Sequence, residues 1–383
     1  MLDHNTPSST SPPHDVATNR HLHNRRIARL AASISLLFAF ALTAASLPAR
    51  SWWVADVLAN VRVQACIATA SLLALCTLLR LKIHLILACL LLVWHASFLA
   101  PAFISASTTP DIGIPNNIRN PTSTADFSIC VANVRFDNPH HNVIANSLRN
   151  ADADVLVVIE ATQKHRQALT QLLESTHPHM VWADRDPGAF GIGVLSRLPI
   201  RHPRIQDFGA PQSSGPSSKF PAISAEISTP AGPVNLIAIH CMPPIGQYNF
   251  QLRSRQLANA AKAAANRPPD SRILLVGDLN LTPWAPAFQD LVNHSKLLNA
   301  AAGQGIEPTW NAGPRYPCGL LIDHILHSSN LTPIQRLILP PLHSDHRPVF
   351  ARFRISNPAP QRDSAAQSAS HPYSQDPPPG MTP

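Results

Sequence analysis

Eight polar residues stand where apolar runs end, and their types suit chemistry on a hard metal ion. Asn133 closes FSICVAN, Glu160 follows VLVVI, and His240 ends NLIAIH. Asp278 and Asn280 lie in ILLVGDLN, Asp323 interrupts LLIDHIL, and Asp345 with His346 precedes PVFARF. Buried carboxylates and amides are costly unless paired or bound to a metal. If these runs are strands lying side by side, their ends converge and the polar groups form one cluster. Rich in carboxylate and amide and poor in Cys, that cluster suits Mg²⁺ or Mn²⁺. Taken singly, each residue also has an ordinary reading: Asn133 as a turn residue, Glu160 as a helix cap, His240 as a core histidine, Gly277–Asn280 as a turn and cap. Only the set and its order point to a site.

VANVRFDN, DADVLVVIEAT, GIGVLSRLPI, IAIHCMPP, LLVGDLN, EPTW followed by IDHILHS, and SDHRPV occur in that order. Together they resemble the endonuclease/exonuclease/phosphatase superfamily, which contains DNase I, the abasic-site endonucleases, neutral sphingomyelinases and inositol polyphosphate 5-phosphatases. The resemblance covers roughly residues 127–354, with GDLN and SDHRPV at this separation as its specific part. It implies an α+β fold, a DNase I-like four-layer α/β/β/α sandwich, and a divalent metal. With apolar spans in front, the chain looks most like bacterial membrane-anchored members, which implies the inner membrane.

Carried onto these positions, the resemblance implies that Glu160 binds the metal, with Asn133 beside it and Asp345 nearby. Asp278 matches the aspartate that orients or deprotonates the attacking water, and Asn280 the asparagine that contacts phosphate. His346 matches the histidine that sits on the phosphate or acts as base, and Asp323 the carboxylate that sets its tautomer. His240 stands where some members carry a second histidine, an acid for the leaving group. The family often has an aromatic after the Asp323 position; His324 stands there instead, a departure at a substrate contact. Attack by hydroxide on an anionic phosphodiester needs charge neutralisation by the metal, Asn280 and a cationic imidazole. In-line displacement assigns Asp278 and His346 to the attacking water, and the metal with His240 to the leaving oxygen.

The elements that must position these residues follow from texture. From about Phe127, short Val- and Ile-rich runs alternate with helix-like or Pro-rich stretches. FSICVANV, DVLVVIEA, GIGVLSRLPI, PAISAEIST, VNLIAIHCM, RILLVGDLN, LIDHILHS and RPVFARFRI read as buried strands. Helix-like stretches fall at about 139–150, 163–175, 249–265 and 285–299. Many strands with few helices predict two packed sheets with helices outside. The domain is expected to span 126–356, followed by a disordered tail, 357–383, without apolar pattern.

Ahead of it, 1–24 reads as a disordered cytoplasmic tail, 25–104 as a membrane region and 105–125 as a polar linker. Apolar runs at Leu30–Pro48, Val63–Leu79 and Ile83–Phe103 each approach the roughly 20 residues that cross a hydrocarbon core, so three transmembrane helices are expected. A cleavable signal peptide fits the first run less well, because its leading segment is long and two more runs follow. Arg20, Arg25, Arg26 and Arg29 precede the first span, and Arg80 and Lys82 link the second to the third. Both clusters belong in the cytoplasm, which places the domain on the extracytoplasmic side after an odd number of crossings.

Of the 383 residues 45% are hydrophobic and 14% charged, with 38 Pro, as expected of apolar stretches beside irregular ones. The net charge of +8 is weak evidence for a nucleic-acid partner, because several Arg flank apolar runs. Paired charges inside the spans, the mark of a transporter, are missing. Cys66, Cys76 and Cys89 lie in apolar runs, and Cys130, Cys241 and Cys318 allow at most one disulfide. The expected partner is a phosphate ester: nucleic acid, lipid headgroup or small molecule. Arg135, Arg185, Arg197, Arg253, Arg255 and Arg315 are scattered, unlike a nucleic-acid groove, and tethering favours a lipid or envelope ester. The catalytic domain is expected to be monomeric. A catalytically silent, membrane-tethered binding module is the alternative class, but its signature would be loss of Glu160, Asp278 or His346.

Overall fold

Period-two alternation along the Val and Ile runs decides the architecture. The computed structural model describes residues 14–104, 126–185, 188–209, 220–311 and 319–355; the expected linker, the carboxy-terminal tail and Cys318 lie outside them. Asp126–Asn133 (β1) turns Phe127, Ile129 and Val131 to one side and Cys130 and Ala132 to the other, and all five are buried. A strand apolar on both faces must be covered on both.

The other strands are β2 (Val155–Ile159), β3 (His179–Ala183), β4 (Ile192–Ser196), β5 (Ile200–Asp207), β6 (Pro221–Thr229), β7 (Gly232–His240), β8 (Ile273–Asp278), β9 (Leu298–Asn299), β10 (Asp323–His327), β11 (Leu331–Ile338) and β12 (Val349–Ile355). The helices are α1 (His14–Ala45), α2 (Trp53–Asn60), α3 (Arg62–Leu78), α4 (Lys82–Leu99), α5 (His141–Asn150), α6 (Gln163–Leu173), α7 (Gln247–Ala265) and α8 (Pro286–Ser295).

One sheet has the order β11-β12-β1-β2-β4-β3 and the other β5-β6-β7-β8-β10-β9. Between them Phe127, Val131, Val157 and Val194 meet Ile223, Leu236, Val276 and Ile325. Outside the first sheet, Ile144, Leu148, Leu169 and Leu173 of α5 and α6 cover Leu156 and Val158. Outside the second, Leu257, Ala260 and Phe288 of α7 and α8 cover Ile237, Ile239 and Leu275. Burying each such Leu, Ile or Phe is worth about 1.5–3 kcal/mol over leaving it wet, so neither outer face could remain bare. The result is the expected α+β, DNase I-like sandwich.

One detail departs from the strand reading. GIGVLSRLPI is not one strand: Ile192–Ser196 belongs to the first sheet and Ile200–Asp207 to the second, so the chain changes layers near Leu198. Cys130 and Cys241 are free and buried in different cores, so they form no disulfide with each other. Burial pushes the Cys130 thiol up to about 12.

Ahead of the sandwich, α1 reaches back to His14, so residues 14–24, expected to be disordered, are helical. His23–Ala45 and Lys82–Ala102 are each long and apolar enough to cross a membrane. The expected middle span coincides with α3, an unbroken helix of 17 residues; with α2, which it meets at 64° across Val61, it passes as one broken span. Polar residues explain the break, because Asp56, Asn60 and Arg62 are all buried at this bend. The bundle hides Ala32, Leu36, Leu72, Cys76 and Leu91, yet turns Leu37, Leu78 and Ile83 outward at 72%, 80% and 73% exposure.

Candidate active site

Strand pairing brings the polar strand ends level. β1 runs parallel to β2, and β7 to β8, each pair joined by an outer helix. Asn133 lies opposite Ile159, while His240, Asp278 and Asp323 stand abreast on β7, β8 and β10. By alternation these side chains face as Val131, Ala238, Val276 and Ile325 do, into the intersheet core. The polar cluster is therefore that core continued to one edge of the sandwich.

Backbone turns aim the groups that alternation would misdirect. Glu160 leaves β2 with φ 64° and Asn280 follows β8 with φ 51°, both in the left-handed region. Gly277 has φ 138°, and a Cβ there would lie 1.8 Å from the Ile239 carbonyl oxygen. Only glycine lets β8 approach β7 this closely. Glu160 is not a helix cap; Thr162 caps α6, its hydroxyl accepting the His165 N–H while its own N–H donates to His165 Nδ1.

A continuous network results. Asn133 Nδ2 donates to Glu160 Oε1 (2.9 Å) and Asp278 Oδ2 (3.1 Å), and its Oδ1 accepts the Arg135 N–H. Asn133 thus bridges the two carboxylates instead of offering them its oxygen. Glu160 Oε2 accepts the Phe136 N–H at 2.9 Å. Asp278 Oδ1 accepts the Asn280 N–H at 2.9 Å, while its Oδ2 lies 3.5 Å from His240 Nε2 and 3.7 Å from His346 Nε2. His346 Nδ1 pairs with Asp323 Oδ2 at 2.9 Å. Asn280 Nδ2 donates to the Cys241 carbonyl, and His240 Nδ1 to that of Ala189. Asp345 is exposed at the rim, where Trp310 Nε1 donates to its Oδ2.

Electrostatics separate the roles. Burial pushes the Asp278 carboxyl up, reinforced by the charge of Asp323, to about 6. Burial opposes a charge on His346, but Asp323 and then Asp278 more than offset it and hold the imidazole protonated to about 10. Asp323 is also buried, yet the charge and hydrogen bond of His346 keep its pKa below the ordinary value. Burial lowers His240 and raises Glu160. Because His240 Nδ1 faces a carbonyl, its Nε2 and Asp278 Oδ2 would oppose lone pairs unless one proton lies between them.

Other contributors have no strand-end signature. Thr309 Oγ1 accepts the N–H groups of Ile322 and Asp323 and so fixes the start of β10. Ser344 Oγ donates to the Asn133 carbonyl and accepts the His346 N–H. Arg253 and Gln256 reach from α7 to the carbonyls of Asn280 and His240; an arginine among the apolar positions of a helix is their only trace in the sequence. His324 faces away from the site, buried against Phe288, with Nε2 on the Leu281 carbonyl.

A search among curated proteins finds no match. Among solved structures, a functionally unknown conserved protein from Enterococcus faecalis V583 has a TM-score of 0.50 at 15% identity, over 60% of this chain and 100% of that one. TDP2 of D. rerio, complexed with single-strand DNA product, has a TM-score of 0.48 at 16% identity, over 60% and 99%. Beta toxin from Staphylococcus aureus, with bound magnesium ions, has 0.46 at 16% identity, over 61% and 100%. The model of the endonuclease/exonuclease/phosphatase family matches residues 130–346, from the middle of β1 to the histidine paired with Asp323. The chain belongs to that family.

Proposed function

We propose that the chain is a membrane-anchored phosphoesterase that hydrolyses a phosphodiester or phosphomonoester by in-line attack of water, using Mg²⁺ or Mn²⁺. The observation that carries this reading is the buried network from Asp323 through His346 to Asp278, Asn133 and Glu160.

The donor set fits a hard cation. Glu160, Asp278, Asp323 and Asp345 bring four carboxylates to two imidazoles, an excess of acid that a cation would offset. Each Glu160 oxygen accepts one hydrogen bond and keeps a lone pair for an ion. Glu160 and Asp345 would hold the metal, with Asn133 orienting Glu160. Asp278, Asp323 and His346 also offer ligand atoms within 4.8 Å of one another, but the Asp323–His346 hydrogen bond engages that pair. We assign the trio to proton handling. When bound, the ion neutralises charge on the phosphoryl oxygens.

The side chains do the rest. Asp278, ionised above about pH 6, takes the proton of the attacking water. Cationic His346 and the free hydrogen of Asn280 Nδ2 meet the developing charge on phosphorus. His240 Nε2 holds the one proton it shares with Asp278 and gives it to the leaving oxygen as Asp278 takes that of the water.

Anchoring is supported by the outward apolar faces of α1, α3 and α4. It is supported again by polarity along the bundle. Among the described residues the sandwich meets one end of the bundle: Arg50 pairs with Asp290, and Gly303 N–H donates to the Pro101 carbonyl. Arg25, Arg26, Arg29, Arg80 and Lys82 mark the other end, where Ser33 meets His84. By the positive-inside rule the sandwich is extracytoplasmic. The full chain in detergent should release nitrophenol from bis-p-nitrophenyl phosphate with Mg²⁺ or Mn²⁺ and stop with EDTA. No turnover of this ester, DNA or sphingomyelin, with either metal, refutes the reading.

A further inference from the structure

We infer that the membrane bundle completes the catalytic loop: Asp56 of α2 positions Asn280 through Arg253. Both Asp56 and Arg253 side chains are fully buried, and they pair at 2.6 Å. Arg253 Nη1 also donates to the Asn280 carbonyl at 2.7 Å. Four residues further along α2, Asn60 grips the same loop just past Asn280. Its Oδ1 accepts the N–H and the hydroxyl of Thr282 at 2.6 and 2.9 Å, and its carbonyl accepts Trp284 Nε1 at 2.9 Å. Asn60 Nδ2 in turn donates to the Asp56 carbonyl at 2.9 Å, so the two grips share one helix turn.

The loop needs such a hold. Asn280 sits at φ 51°, in the left-handed region that Asn enters more readily than most side-chain-bearing residues, and contacts on two sides fix its amide there. From the sandwich side it is held by Asp278 Oδ1 and the Cys241 carbonyl. From the opposite side the hold is Arg253, and a guanidinium with no exposure is strongly unfavourable without a carboxylate partner. Among the described residues that partner is Asp56, which belongs to the bundle, not to the family domain. A displacement of α2 therefore removes the charge that keeps Arg253, and with it Asn280, in place. The anchor becomes a means of setting turnover, and Asp56 is a positioning residue acting through two others.

The kinetic part of this inference rests on the phosphoesterase reading; the mechanical part does not. The test compares the full chain in detergent with its Asp56→Asn variant by amide hydrogen exchange and by metal-supported hydrolysis of bis-p-nitrophenyl phosphate. Exchange should rise in peptides covering Leu279–Trp284 while β1, β2 and β7 stay protected. kcat should fall about 10-fold with KM held within about two-fold, since an ångström-scale misplacement costs rate more than binding. Arg253→Lys, which keeps the cation but loses the fork, should show the same pattern and serves if Asp56→Asn does not fold. Unchanged exchange at Leu279–Trp284 overturns the inference, as does loosening of the whole sandwich. An active parent with kcat unaltered in the variant also overturns it. An inactive parent counts against the phosphoesterase reading alone, and the exchange pattern then decides the clamp.

Discussion

His346 Nδ1 lies 2.9 Å from Asp323 Oδ2, with side-chain exposures of only 6% and 1%. Burial alone would strip the imidazole of its proton, but the carboxylate holds it to about 10. Asp323→Asn replaces that acceptor by a neutral amide and leaves His346 only the weaker influence of Asp278 and Asp345. Loss of the cation should lower kcat/KM by about 100-fold or more. The alkaline limb of the pH–rate profile should also move to lower pH, because His346 then deprotonates earlier. A variant that keeps both its rate and its alkaline limb would deny His346 a charged role.

Glu160 is expected to hold the ion, and Glu160→Gln keeps its shape while removing the charge. The metal concentration for half-maximal activity should rise about 10- to 100-fold, with kcat partly restored at saturating Mn²⁺. Titration of apoprotein with Mg²⁺ by calorimetry checks the same point without turnover. Equal affinity in the two proteins would move the ion to the Asp278, Asp323 and His346 trio.

Acid should unfold the metal-free protein through its buried neutral histidines. Burial lowers both His165 and His324 to about 4. Between pH 6.5 and 4 the unfolded chain takes up protons at these sites and the native state does not, so stability falls as pH falls and levels off below 4. For His324 alone the loss is about 3 kcal/mol. Asp278, raised to about 6, and Glu160, also raised by burial, act in the opposite direction over part of the window, while His177, His240 and His327, all lowered by burial, add to the fall. At the other end, the stability contributed by the His346 proton is complete below pH 6.5 and lost as pH rises through about 10. Urea melts in EDTA should therefore give highest stability near pH 6.5, and His165→Asn should shrink the fall from pH 7 to 4.5.

At Gly277 the expectation comes from geometry alone. A methyl group there would sit 1.8 Å from the Ile239 oxygen, on a residue at φ 138°. β7 and β8 must then part beside His240 and Asp278. Gly277→Ala should destabilise the domain by roughly 3 kcal/mol or more, read as a lowered urea midpoint, and should abolish turnover.

What the sequence showed and what it hid divide along physical lines. Strands buried on both faces, such as Val155–Ile159, are unbroken apolar runs and were legible. Edge strands were not: Ile200–Asp207 reads IRHPRIQD and is largely exposed, and Leu331–Ile338 contains Pro333 with a register shift beside it. Site residues at strand ends stood out because a polar group closing an apolar run is conspicuous. Thr309, Ser344 and Arg253 act through hydrogen bonds from loops and a helix, which no periodicity marks. The segment ahead of the middle span was opaque for a related reason. Val63–Leu79 is apolar enough to suggest a membrane helix, whereas the function of its upstream neighbour lies in Asp56 and Asn60, which bind parts of the chain some 200 residues away.

The remaining prediction concerns the side of the membrane. If α1, the bent α2–α3 pair and α4 each cross once, the basic ends and the sandwich lie on opposite sides, as their separation along the bundle requires. A reporter active only outside the cytoplasm, fused after Ile355, should be active, and one active only inside should be silent. Replacing Arg25, Arg26 and Arg29 with Glu removes half of the topogenic signal. It should yield a mixed population, because Arg80 and Lys82 still favour the original orientation. A cytoplasmic reporter signal from the parent chain would mean an even number of crossings. The α2–α3 pair would then enter and leave the membrane on the side opposite the sandwich, against the contacts of Asp56 and Asn60 with Arg253 and Thr282.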